Sequence, residues 1–195
     1  MESWREQYLG VDALPTSLTH AQIEYFFQPA EHMLPYVSSR RRPLTSLGLL
    51  LHIGFLRMTG RPLAAFERIP PGILEFVANH AGIPAPQIAT LRAIYRRRMT
   101  LFAHQRLAAE AIGWRSAEDG VLRMLTAFLR RQAETQISRP DLIRQARRWL
   151  YDRSYVLPGA RLLERLAAAA QDHALEGLRS EIEAAVGAEL TGSWS

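Results

Sequence analysis

The 195-residue chain is 48% hydrophobic and 22% charged, the composition of a folded protein long enough for one large domain or two small ones. It has no cysteine, which excludes disulfides, thiol catalysis and thiolate zinc sites and suits a reducing, cytoplasmic setting; no basic-then-apolar leader opens it, and its longest apolar run, Leu47–Leu56, is too short to cross a bilayer. All 24 basic residues are arginine, so the net charge of +5 rests on guanidinium groups that stay protonated and grip phosphate in a planar fork.

Apolar residues recur at helical spacing almost throughout and no alternating strand pattern persists, which predicts an all-α, multi-helix bundle. Residues 1–16 read as a loose N-terminal arm or a docking segment. Thr19 caps a short helix to Phe27, and another short helix follows Pro29 to about Ser39. Pro43 suits the first turn of a helix from Leu44 to Met58 that is apolar nearly all round and so central; Gly60-Arg61-Pro62 closes it. Pro70 and Pro71 open a helix carrying Ile73, Leu74, Phe76, Val77 and Ala81, which stops at Gly82. After Pro84-Ala85-Pro86 a helix runs through Ile88, Leu91 and Ile94, and Arg96-Arg97-Arg98 leads into another reaching about Gly113. Ser116 and Glu118 begin the helix of Val121, Leu122, Leu125, Phe128 and Leu129. Ser138-Arg139-Pro140-Asp141 has the form of a capping box ahead of a helix burying Leu142, Ile143, Ala146, Trp149 and Leu150. A turn through Pro158 leads to a long alanine-rich helix, with a break expected near Gly177. The expected divisions are the arm, a first helical unit over 17–113, a second over 114–190 and a frayed tail over 191–195.

Two stretches have the layout of a helix-turn-helix. In the first, Phe76–Ala81 is followed by Gly82, whose missing Cβ permits the positive φ of a sharp turn, then by Ile83 as an apolar plug and by a second helix starting after Pro86. The same pattern fits a plain α-hairpin. The second stretch joins Ser138–Arg153 to Gly159–Ala170 through Val156-Leu157-Pro158. Here Arg144, Arg147 and Arg148 share one polar face, and Arg161 and Arg165 lie on the outward face of the following helix. Like charges three or four residues apart repel slightly, and phosphates relieve that repulsion; local pairing with Asp141 and Asp152 is the competing account.

The charge is unevenly placed. Residues 1–39 carry net −4, residues 40–153 net +12 and residues 159–195 net −3, so a basic centre lies between acidic ends. Within the centre stand two triplets, Arg40-Arg41-Arg42 and Arg96-Arg97-Arg98, and the Arg144 stripe. Each triplet spans almost a helical turn and fans outward. These arginines, with His104 after the second triplet, are candidate phosphate contacts; Gln87, Thr90 and Arg161, on second helices, are candidates for reading bases, and Arg165 joins them as a DNA contact. Trp114, Trp149, Tyr95 and Phe102 are candidates for stacking on bases, but their helical registers favour core positions.

No catalytic constellation is visible. Most acids of the basic block sit beside an arginine or at helix starts, and a lysine-dependent phosphate loop is impossible. The histidines at 20, 32, 52, 80, 104 and 173 are not paired at metal-ligand spacing, and His52 reads as a packing histidine. No metal, cofactor or catalytic residue is expected, and the chain is not read as an enzyme.

Four segments, in order, carry a resemblance: Arg40-Arg41-Arg42 with Leu47-Gly48 and the helix to Arg57; the Pro-rich start of the Ile73–Gly82 helix; Tyr95-Arg96-Arg97-Arg98 running into His104; and Val156-Leu157-Pro158-Gly159 with Leu163-Glu164-Arg165-Leu166. Together they resemble the N-terminal region of bacterial Tn-three family transposases, over roughly residues 15–185. The resemblance implies a non-catalytic, helical region that recognises the terminal inverted repeats of a transposon. In that family catalysis lies much further along a longer protein, in a retroviral-integrase-like domain with three acidic metal ligands. It implies double-stranded DNA as partner, with the remainder of a transposase or another copy beside it, and no membrane. The often polar segment after the first arginine run is here Pro43-Leu44-Thr45-Ser46, with Thr45 and Ser46 as substitutes. The competing function is a helical interaction or regulatory module whose arginines meet an acidic protein surface.

Overall fold

Thr19 starts a helix by reciprocal bonding: its backbone N–H donates to Gln22 Oε1 at 2.9 Å, and the Gln22 N–H donates to Thr19 Oγ1 at 3.3 Å. Two of the helix's orphan donors are thereby satisfied. Local signals of this kind set most of the elements in the computed structural model, which describes residues 2–39, 42–64, 68–135 and 138–192. In chain order these are α1 (Glu2–Tyr8), α2 (His20–Phe27), a 3-10 turn (Glu31–Met33), α3 (Leu34–Ser38), α4 (Pro43–Thr59), α5 (Pro71–Ala81), α6 (Ile88–Ile94), α7 (Arg98–Ala111), β1 (Arg115–Ser116), α8 (Asp119–Thr135), α9 (Arg139–Asp152), β2 (Tyr155–Val156) and α10 (Ala160–Gly192). The chain is all-α; its strands are two residues each and pair in parallel, Arg115 opposite Tyr155 and Ser116 opposite Val156.

Two units are distinguishable, Met1–Ser116 with Tyr151–Leu157, and Ala117–Leu150 with Pro158–Ser195. The first is built around α4. Leu47, Leu49, Leu51 and Phe55 are fully buried, and α1, α2, α3, α5, α6 and α7 all pack on this helix. A helix buried on every side is what an almost uninterrupted apolar run requires. Each buried leucine contributes roughly 1.5–3 kcal/mol of transfer free energy.

Of the two expectations for the N-terminal segment, the structure shows the docking segment and not the loose arm. The segment forms α1, packed on α4; Tyr8 and Leu14 are buried, and Gln22 Nε2 donates to the Tyr8 hydroxyl at 3.3 Å. The polar residues between its apolar ones conceal this in one dimension. The segment Tyr151–Leu157 also belongs to the first unit: the Leu157 N–H donates to the Gly60 carbonyl at 2.7 Å, and the Tyr151 hydroxyl to that of Arg57.

In the second unit, Leu125, Leu129 and Ala133 of α8, Leu142, Ala146 and Leu150 of α9, and Leu163, Ala167 and Ala170 of α10 are buried. Helix α10 packs chiefly on α8, and Arg139 Nε at the start of α9 donates to Gln171 Oε1 of α10 at 3.1 Å. The expected break at Gly177 does not occur. One glycine costs about 1 kcal/mol in a helix, which its alanine, leucine and glutamate neighbours outweigh. Among the described residues no helix is long and apolar enough to cross a membrane.

Of the two expected helix-turn-helix pairs, the first has its turn chemistry. Gly82 has φ 69°, and the Ile83 N–H donates to the Ala78 carbonyl at 3.1 Å while its side chain packs against the core. Both α5 and α6 dock on α4. In the second, the connector between α9 and α10 carries β2, paired with β1, and Leu157, whose N–H donates to the Gly60 carbonyl.

Candidate nucleic-acid interface

Helix α6 ends at Ile94, and α7 begins four residues later with Arg97 as its N-cap, in extended conformation at φ −93° and ψ 118°. Arginine has no acceptor, so no side chain caps the first N–H groups of α7. These donors and the positive end of the helix dipole are left facing solvent, a disposition that favours an anion. Arg96, Arg97 and Arg98 are all exposed there, and among the described residues none of their guanidinium groups makes a hydrogen bond or an ion pair.

The junction is held from beneath. The rings of His52, Tyr95 and His104 meet edge to face, with centroids 5.4 Å apart for His52–Tyr95, 5.4 Å for Tyr95–His104 and 5.9 Å for His52–His104. The Tyr95 hydroxyl and His104 Nδ1 share a hydrogen bond of 2.8 Å. Burial, and next the nearby His104, pull the pKa of His52 down to about 3, while burial pushes that of the Tyr95 hydroxyl well above its ordinary value. His52 and Tyr95 are therefore neutral near pH 7. His104, expected to touch phosphate, is 3% exposed and does not reach the surface. Its place in the register is right for packing on α4, and the arginines just before it mask that.

Tyr95 is seated against Gly48, where a Cβ would overlap its hydroxyl and lie 3.2 Å from its Cζ. This contact ties the α6–α7 junction to the first half of α4. Arg42, the exposed N-cap of α4, is six residues before Gly48, about 9 Å along the helix axis. Arg42 and Arg96–Arg98 therefore attach to one region of the first unit. Arg40 and Arg41 lie outside the described residues. Thr45 is half-buried, and Ser46 spends its hydroxyl inside, donating to the Val37 carbonyl at 2.9 Å. Gln87, the N-cap of α6, and Thr90 on that helix are exposed.

In the second unit Arg144 is exposed and paired with Asp141, Arg147 is half-buried, Arg148 is exposed, and Arg161 and Arg165 are exposed in the first turns of α10.

Two features depart from the sequence reading: the core register favoured for Phe102, and a cavity that it did not foresee. Phe102 is not in the core: it is 56% exposed, and Met99 beside it is 79% exposed. A cavity of about 410 Å³ also lies in the first unit, lined by Arg5, Tyr25, Arg57, Trp114, Tyr151 and Asp152 among others. The Arg57 guanidinium is committed there to backbone carbonyls, donating to Gln28 at 2.6 Å and Tyr25 at 2.8 Å, and burial lowers its pKa. Residues so far apart in sequence leave no local signal. Among the described residues no three His, Cys, Asp or Glu side chains gather as a metal site.

An exposed arginine cluster at a helix start with no side-chain cap thus stands on an all-α scaffold. The chain matches the family model described as "Domain of unknown function (DUF4158)" over residues 3–170, and it belongs to that family. It is 37% identical over 170 residues to the transposase for insertion sequence element IS1071 in transposon Tn5271 of Comamonas testosteroni, covering 87% of this chain and 17% of that protein. It is 28% identical over 165 residues to the transposase for transposon gamma-delta of Escherichia coli (strain K12), covering 84% of this chain and 16% of that protein. The chain thus spans about a sixth of the length of these curated relatives, matching a short N-terminal region of them, and is a transposase-related domain.

Proposed function

We propose that this domain binds duplex DNA at the terminal inverted repeats of a transposon, without itself carrying out catalysis. The observation that carries the reading is the α6–α7 junction: three exposed guanidinium groups with no carboxylate partner among the described residues, at a helix start with no side-chain cap. Arg42 adds a fourth cation to the same region. Phosphates satisfy both the charges and the orphan N–H groups. The transposase relatives support DNA as the polyanion. Arg96–Arg98 and Arg42 act on backbone phosphates, as do Arg144, Arg147 and Arg148 in the second unit. Gln87, Thr90, Arg161 and Arg165, exposed on α6 and α10, are the groups offered to base edges.

Titration of a terminal-repeat duplex and a scrambled duplex at two salt concentrations tests this. Binding weakens steeply with salt, because neutralised phosphates release counterions, and the terminal repeat is preferred. Equal affinity at both salts overturns the electrostatic basis, and equal affinity for both duplexes overturns recognition of the repeat.

A contact with protein is favoured elsewhere, on the second half of α10. Leu175, Leu178, Ile182 and Val186 recur at helical spacing there and are 45–55% exposed, among acidic residues that repel DNA. The remainder of a transposase, or another copy of this chain, is the occupant this reading assigns; sedimentation of the L178E variant against the parent chain tests the second case.

A further inference from the structure

We propose that Met99 and Phe102 form an apolar wedge that enters a base step of duplex DNA held by Arg96–Arg98, so that binding through α7 unstacks and bends the duplex. The inference rests on the DNA-binding reading above and adds to it a contact that charge does not make.

The two side chains stand three residues apart and so share one face of α7. The opposite face, with His104, Ala108 and Ala111, is buried and packs on α4. Met99 at 79% and Phe102 at 56% are the most exposed large hydrophobic residues among those described in the first unit. A single exposed apolar side chain needs no explanation. What distinguishes this pair is its border. The three arginines precede it, and one turn beyond Phe102 stands Arg106, its side chain 76% exposed and 3.5 Å from Glu110. The centre of a protein–protein contact is depleted of charge around its apolar anchors. An apolar residue ringed by arginines matches instead the way proteins prise apart base steps, cations holding the phosphates while Phe or Met fills the opened gap.

The mounting is also suited to the task. Unstacking a base step meets resistance, so a wedge on a yielding element would fold back. Here the first turn of α7 is braced by the Tyr95–His104 hydrogen bond, and Tyr95 is seated against Gly48 in the central helix. Force on Met99 and Phe102 is passed to the most buried part of the unit.

The test uses the full chain and a terminal-repeat duplex with donor and acceptor dyes at its ends and 2-aminopurine at successive pyrimidine–purine steps, which open most readily. Binding is followed by anisotropy, unstacking by 2-aminopurine emission and bending by energy transfer. The parent chain should raise emission at one step and bring the ends together. The M99A/F102A double variant should keep its melting temperature, since both side chains are exposed, and keep its salt dependence. Its affinity should fall about tenfold at most, with the emission and energy-transfer changes lost. R97A should show the converse at saturation: weaker binding, a salt slope lower by about one unit and bending retained. Anisotropy without any emission or energy-transfer change overturns the wedge and leaves DNA binding standing; no anisotropy change overturns both. A double variant that still bends DNA, or that changes the sedimentation of the protein alone, assigns this face to another role and also overturns the proposal.

Discussion

The hydroxyl of Tyr95 occupies the space that a side chain at position 48 would fill, so Gly48 in the central helix and Tyr95 at the end of α6 interlock. Gly48→Ala should therefore push Tyr95 out or bend α4, costing about 1–3 kcal/mol as other overpacked cores do. Urea denaturation measures this. Because Arg96 follows Tyr95, the variant should also bind DNA more weakly than its remaining stability explains. A Gly48→Ala chain as stable as the parent would show that the ring has room to move.

His52 predicts a pH dependence of known sign. Its pKa falls from 6.5 to about 3 on folding, so between these values the unfolded chain holds a proton that the folded chain refuses. Its contribution to stability is complete above about pH 6.5 and is lost as pH falls toward 3. One such proton corresponds to about 1.4 kcal/mol per pH unit within that window. Urea denaturation from pH 7.5 to 5 should show this slope, and His52→Gln should lack it whatever its stability at pH 7.5. Identical slopes in the two chains would remove His52 as the cause.

The N-terminal segment should behave as core. Tyr8 is 7% exposed, meets Phe26 edge to face at 6.0 Å and accepts a hydrogen bond from Gln22. Tyr8→Ala should cost about 3 kcal/mol, the lower end for a buried aromatic, and Thr19→Ala about 1 kcal/mol through loss of the cap. Melting both variants checks the order; a Tyr8→Ala chain that melts with the parent would make the segment dispensable.

Arginines that position DNA should be separable from residues that read it. Arg97→Ala should weaken terminal-repeat and scrambled duplexes alike and lower the salt slope by about one unit. Arg161→Ala should relax preference at one position at a cost of roughly 1–3 kcal/mol. Competition between the two duplexes measures both. Loss of preference in Arg97→Ala with uniform weakening in Arg161→Ala would reverse the roles.

What the sequence by itself determined was local. The apolar run of α4, the Thr19–Gln22 box and the positive φ of Gly82 follow from neighbours within about one helical turn, which act before any tertiary contact forms. The exposure of Arg96–Arg98 also follows, since three consecutive charged side chains at a helix start fan outward into water. Tertiary structure decided which way ambiguous faces turned. Helix α7 carries Met99, Leu101, Phe102 and Leu107, enough apolar residues to bury either side; in the fold the side with His104 is buried, where it bonds to the Tyr95 hydroxyl seated against Gly48. Tyr8 likewise meets Gln22 of α2 across 14 residues, and Tyr151 reaches the Arg57 carbonyl of α4 from 94 residues away. Such contacts leave no periodicity, because their free energy comes from fitting one surface against another rather than from the repeat of a single element.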